Sequence, residues 1–297
     1  ANDTAQSLPI PNTPAFSTFP YIWEWENLTP GAQSLNDTLW KGRTELDPNY
    51  KFTVGDRYTF TRGTGPKYGY YQKGQYLYTE ATGSNGNVAT YLESKKCVDL
   101  SSLTSPTLDF YYHAMGANVD KITVEYNDAA TMNFDEWKEI TGSAATLKQT
   151  SEVDDFIFHR VDLTPIKNGS IKIRIAVHRT GVGDLADVAI DKIMLYDRIA
   201  SDAGVEIITN PQYSWPANTV LNLPNVIEQV TVRNFGTSNL TGVTASMAIT
   251  PLCGANAGQT TVYNSTSSVN VSAGNSAVFN MPNIDIMVPE GDCEICA

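Results

Sequence analysis

Helix signals are nearly absent from this chain, and no segment approaches the ~18 consecutive apolar residues of a membrane span. Basic residues are scarce: 20 Lys plus Arg stand against 32 Asp plus Glu, for a net charge of −12. No basic run is longer than Lys95-Lys96. Phosphate contacts need clustered Lys and Arg, so nucleic acid is excluded as a partner. The acidity suits a solvated surface or divalent cations. Histidine is scarcer still, with His113, His159 and His178 only. All three fall in strand-like runs, and none sits beside a Ser, a Cys or a metal-ligand motif. HExxH, GxSxG and the P-loop are absent, so no nucleophile–base constellation is legible and the chain reads as no enzyme. The segment GTGPKYG (63–69) is not followed by a helical pattern, which argues against a phosphate cradle. The paired acids Asp135-Glu136 and Asp154-Asp155 read as solvated loop carboxylates.

Cysteine appears four times, as Cys97, Cys253, Cys293 and Cys296. C-E-I-C would need a second ligand pair to hold zinc, and no His lies beyond His178. In an oxidising compartment Cys253 can instead pair with Cys293 or Cys296. Cys97 reads as a half-buried free thiol. The opening ANDTAQSLPIPNTPAFSTFP is polar and proline-rich, without the pattern of a signal peptide, and reads as a linker or mature end.

What is present is strand after strand. YTFTRG, GQYLYTEA, VATYLES, LDFYYHAMG, KITVEYN, FIFHRVDL, IKIRIAVHR and DVAIDKIML are rich in Val, Ile, Tyr, Phe and Thr, with turn residues at their ends. IKIRIAVHR alternates: Ile171, Ile173, Ile175 and Val177 point one way, Lys172, Arg174 and His178 the other. The pattern predicts an all-β chain built as a sandwich. Composition shifts near residue 200. Beyond the connector DRIASDAG come shorter, Ser/Thr-rich strands whose spacing fits a smaller immunoglobulin-like sandwich. The expected division is an N-terminal arm at 1–16, a first domain at 17–198 and a second at 204–297.

DLADVAIDKIML (184–195) poses a problem of its own. Asp187 and Asp191 share one face of an extended strand, and Val188 and Ile190 share the other. A carboxylate beside a core needs a partner, because an unpaired buried charge is costly. Lys192 or Arg198 with solvent could serve, and so could a cation or a ligand. The aromatic runs YIWEW (21–25) and YGYYQKGQYLY (68–78) are the other unusual feature. Trp23, Trp25, Tyr76 and Tyr78 fit core packing. Tyr68, Tyr70 and Tyr71 fall in a Gly-rich loop, where aromatics can stack on sugars or anchor a partner.

In order along the chain come FPYIWEWENL, Trp40, GQYLYTEATG, SPTLDFYYHAMG, ITVEY, EWKEI and DVAIDKIML. This series resembles the MAM domain, a jelly-roll sandwich of extracellular regions, and the related cleaved-adhesin domains of bacterial surface proteases. The resemblance covers about residues 17–198. It departs from eukaryotic MAM domains in having only Cys97 there, so a bacterial-style relative is implied. The second region resembles Fn3- or CARDB-like modules. The resemblance implies a structural calcium held by an early acid, Glu26, and by Asp187 and Asp191. It also implies a non-catalytic, secreted or cell-surface adhesion or interaction protein of Bacteroidetes-like type. The expected partner is an extracellular protein or glycan, with possible assembly with other surface-protein domains. A carbohydrate-binding module and the accessory region of a secreted protease are the alternatives. Asn-x-Ser/Thr occurs at Asn2, Asn27, Asn36, Asn168, Asn239, Asn264 and Asn270, and Thr4 and Thr38 lie in short D-T-x segments like O-glycan acceptors.

Overall fold

The structure is a computed structural model. It describes residues 15–32, 39–43, 49–70, 74–84, 86–128, 136–147, 149–209, 220–223, 229–251, 258–282, 284–287 and 293–296. No α-helix occurs among the described residues. The chain divides into two compact units, Ala1–Asp197 and Arg198–Ala297.

The first unit contains β1 (Tyr21–Trp23), β2 (Trp40–Arg43), β3 (Lys51–Gly55), β4 (Tyr76–Glu80), β5 (Val88–Ser94) and β6 (Val98–Asp99). It continues with β7 (Pro106–Ala114), β8 (Val119–Asp128), β9 (Lys138–Glu139), β10 (Ile157–Asp162), β11 (Ser170–Arg179) and β12 (Val188–Asp197). One antiparallel sheet runs β10-β7-β12-β4-β3, with β1 on β12; the other runs β2-β5-β11-β8-β9, with β6 on β11. They form a β-sandwich around a single apolar core. Phe52, Leu77, Leu108, Phe110, Val188 and Ile190 come from the first sheet, and Leu92, Ile122, Val124, Ile173, Ile175 and Val177 from the second. The alternation read in 171–178 is thus the core face of β11. On its outer face, Arg174 lies between the rings of Tyr91 (3.7 Å) and Trp137 (4.1 Å) and pairs with Glu125. Phe16, expected in the arm, is part of the body: it bridges Val98 and packs edge-on against Tyr21.

β7 is buried along its whole length. Leu108, Phe110 and Tyr112 enter the core, while Asp109, Tyr111 and His113 face outward and are still covered. Asp109 accepts a bidentate pair from Arg160 Nε and Nη2 (2.9 and 2.7 Å) and a third bond from the Tyr196 hydroxyl (2.7 Å). Tyr111 lies under Tyr70, and His113 packs beside Phe156. The first sheet is therefore covered on both faces, the second time by loops.

YTFTRG is a correction. Residues 58–63 form no strand. The Thr59 hydroxyl donates within its own loop, to the carbonyls of Thr61 (3.2 Å) and Thr64 (3.0 Å), and folds the segment into a turn.

In the second unit, strands Ala203–Thr209, Gln229–Asn234 and Ser276–Asn280 pair in one sheet, and Thr261–Asn264, Ser246–Pro251 and Cys293–Cys296 in another. Its core gathers Val230, Val232, Met247 and Phe279. In VRNFGT the buried Asn234 closes the turn: its amide donates to the carbonyls of Ser238 and Val271 and its oxygen accepts the Gly236 N–H.

Candidate functional site: a pinned aromatic loop

The acids of the last strand find their partners in loop backbone. Asp191 is 3% exposed. Its Oδ2 accepts the Tyr70 N–H (3.1 Å) and its Oδ1 the N–H of Lys192 (2.8 Å). Lys192 has φ +43, at the irregularity where β12 leaves β7 before rejoining at Met194. Burial, with the nearby Glu26 and Glu24 charges, raises the Asp191 carboxyl to about 7. Asp187 is fully buried. Its Oδ1 accepts the Ala81 N–H (3.0 Å), and its own N–H donates to the Thr64 hydroxyl (2.9 Å). Its Oδ2 has no hydrogen-bond partner. Burial, followed by the Glu80 charge, raises this carboxyl to about 8. Neither basic candidate serves: the Lys192 ammonium sits on Glu24 (3.3 Å), and Arg198 bonds the carbonyls of Phe235 and Gly236.

The Asp191 carboxylate and the Asp187 main chain help hold residues 56–70 in place. The Thr64 hydroxyl donates to the Met115 carbonyl (2.8 Å), and the Gly65 N–H to the same oxygen (3.1 Å). Gly63 N–H bonds Glu152 Oε1 (2.8 Å), and Lys67 N–H bonds the Glu152 carbonyl (2.6 Å). The Tyr76 hydroxyl reaches the Arg57 and Pro66 carbonyls from below. Gly65 has φ +63, and a Cβ there would lie 2.5 Å from Thr59 Cγ2 and 3.2 Å from Asp187 Cβ, so the close approach requires glycine.

On the solvent side the same loop presents Tyr58, Phe60, Arg62, Lys67 and Tyr68. Phe60 is 77% exposed and Tyr68 40%. The Arg62 guanidinium lies 3.3 Å over the Tyr58 ring, and the Lys67 ammonium stands 5.3 Å from Tyr58 and 4.9 Å from Tyr68. Tyr68 and Gly69 also line a shallow depression with Glu152, Val153, Asp154, Asp155 and Phe156.

Of the tyrosines picked out by sequence, two are described, and Tyr68 is the one that faces solvent in this way. Tyr70 stacks on Tyr111 with ring centroids 3.8 Å apart and is a packing residue on that face. Tyr71 lies outside the described residues. Phe60 and Arg62 were missed because YTFTRG mimics a strand, and Lys67 because GTGPKYG was weighed only as a phosphate cradle.

The expected metal set is divided. Asp191 shares its surroundings with Glu26 and Glu24, Asp187 with Glu80 and Asp184. Four residues of extended strand separate the two aspartates by about 13 Å, beyond the reach of two ligands on one ion. Glu26 Oε2 accepts the Gln75 N–H (3.1 Å), beside Gly74. Among the described residues no three His, Cys, Asp or Glu side chains gather as a metal centre. Asp187 keeps one buried oxygen without a hydrogen bond of good geometry, with the Thr59 hydroxyl as a neighbour that favours its ionised form.

The histidines have structural partners. His113 Nε2 faces the Ser151 carbonyl (3.1 Å) and His159 Nε2 the Ser143 carbonyl (2.9 Å), and burial lowers both pKa values. His178 Nε2 is 3.5 Å from Thr123 Oγ1 and 3.8 Å from Glu125 Oε1. A relay needs one partner on each ring nitrogen, and here the same nitrogen faces both.

Cys97 is a free thiol. The Cys293–Cys296 strand pairs with Ser246–Pro251, with Cys293 opposite Pro251. Cys253 and the side chains of Cys293 and Cys296 lie outside the described residues, as do Thr4, Asn36 and Thr38. Asn27 is exposed. No helix among the described residues is long and apolar enough to cross a membrane.

No family model matches the chain, and no curated protein matches it. Among solved structures it is similar to the K1 cleaved adhesin domain of Lys-gingipain from Porphyromonas gingivalis W83. The identity is 15% over 61% of this chain and 99% of that one, with a TM-score of 0.40. It is also similar to TmCBM61, solved with β-1,4-galactotriose, at 15% identity over 57% and 95%, TM-score 0.34. A third is the CBM22-1 xylan-binding domain of Paenibacillus barcinonensis Xyn10C, at 10% identity over 59% and 92%, TM-score 0.34. The functional reading therefore rests on the chain's own geometry.

Proposed function

We propose that this chain works by binding rather than by catalysis, as a secreted or cell-surface adhesion or interaction protein of bacterial type. Its first unit would engage its partner through residues 56–70, and the partner would be a saccharide. The observation that carries this reading is the pinned loop. An aromatic side chain 77% exposed, Phe60, sits on backbone held through the Thr64 hydroxyl, the Asp187 main-chain N–H and the buried Asp191 carboxylate. A loop already ordered loses little conformational entropy on binding, and exposed rings offer flat faces to sugar rings. A glycan array with the intact chain tests it. Binding that Phe60→Ala and Tyr68→Ala each weaken at least tenfold is expected. A chain that binds no glycan, or whose binding ignores both changes, would overturn the reading.

The same proposal includes a structural calcium at Asp187. It would neutralise the carboxylate and occupy the oxygen that the protein leaves unpartnered. It would stabilise the frame under the loop and take no part in any reaction.

A further inference from the structure

We infer that the saccharide bound at residues 56–70 is anionic, carrying carboxylates of the uronic-acid type; this rests on the reading of that loop as a glycan site. Arg57 is answered by its neighbour Asp56 (3.5 Å). Arg62 and Lys67 have no carboxylate within salt-bridge distance among the described residues, although acids outnumber bases 32 to 20 in the chain. Both lean on the Tyr58 ring, so the two charges lie within about 9 Å of one another. The acids close by are turned toward main-chain donors. Glu152 Oε1 accepts the Gly63 N–H, and Asp154 Oδ2 accepts the N–H groups of Thr150 (2.7 Å) and Ser151 (2.8 Å). Asp155, exposed, lines the depression with Tyr68.

Two unneutralised cations held together repel, and an anion placed between them removes that repulsion. The guanidinium lies 3.3 Å over Tyr58, which fixes its plane and leaves its N–H groups as a fork suited to carboxylate. Lys67 adds a point charge between Tyr58 and Tyr68. Phe60 supplies the uncharged face beside them. The recognition element is thus ring plus carboxylate, which a uronic-acid residue combines in one unit. An acidic peptide would match the charges but would find no apolar groove among the described residues of this loop.

The experiment measures binding of the full chain to a panel of uronic-acid oligosaccharides and to the same oligosaccharides after carboxyl reduction. A poly-glutamate peptide is the third ligand. At least one acidic oligosaccharide should bind, its reduced form at least tenfold more weakly. Arg62→Gln and Lys67→Gln should each narrow that gap, weakening the acidic form several times more than the reduced form. Affinity should fall as salt rises. Equal binding of acidic and reduced forms, still sensitive to Phe60→Ala, would overturn the anionic assignment and leave the glycan reading intact. Binding of poly-glutamate with no oligosaccharide bound would overturn both.

Discussion

The two buried aspartates should make the first unit less stable as pH rises through neutrality in calcium-free solution. Both carboxyls are raised from 3.8, Asp187 to about 8 and Asp191 to about 7. Their protonated forms are favoured in the folded state. The stability they allow is complete below the unfolded value and is lost as pH climbs through the folded values. Between pH 6.5 and 8 the unfolded carboxyls are already ionised. Over that window, linkage gives a loss of roughly 2 kcal/mol from the pair, Asp187 contributing the larger share. For a unit of this size that is a fall in Tm of roughly 4–8 °C. The lowered His113 and His159 still gain some stability over the first pH unit above 6.5 and offset a smaller part of this fall, and the lowered Glu125, Asp99 and Asp154 act only in acid. The assay is thermal melting in chelator at closely spaced pH values. Asp187→Asn and Asp191→Asn imitate the protonated acids, and together they should abolish the downward slope. A wild-type melting temperature flat from pH 6.5 to 8, or a slope that survives both substitutions, would refute the account of these residues as buried, unneutralised acids.

Arg160→Ala leaves Asp109 buried without its cation and should cost about 3–5 kcal/mol in denaturant unfolding. Removing the charge as well, with Asp109→Leu and Arg160→Met, should recover most of it. Chelation should lower the Tm of the first unit and calcium restore it, by about 2.7 kcal/mol at a hundredfold excess over Kd, with magnesium a poor substitute. Asp187→Asn should abolish that response and Asp191→Asn should preserve it; the reverse pattern would place the ion elsewhere. Non-reducing mass spectrometry should find Cys253 joined to Cys293 or Cys296, a link closing about 40 residues and stabilising the second unit by about 2–4 kcal/mol. Three free thiols in native protein would rule it out.

The strands were legible wherever one face meets the core, as in β11 and β12, because period-two alternation reports burial on one side. Sequence also located the two acids that needed partners. It could not name those partners, because they are main-chain N–H groups of Tyr70 and Ala81, and backbone donors leave no mark on residue identity. The pull of Thr59 on its own loop was hidden for a related reason: threonine is as frequent in strands as in turns, and only its bonds to the Thr61 and Thr64 carbonyls decide between them. The cover over β7 was not legible either. Asp109, Tyr111 and His113 alternate as a solvent face would, and the loops that cover them come from distant parts of the chain.

In the 56–70 loop, display and anchor are separate residues: Tyr58, Phe60 and Arg62 face out, while Thr59, Thr64 and Gly65 hold the frame. Specificity can then drift at the outward positions without disturbing the backbone that presents them, much as type is changed in a fixed forme. A library randomised at 58, 60, 62 and 68 alone should yield folded proteins at high frequency, and among them binders for saccharides the parent ignores.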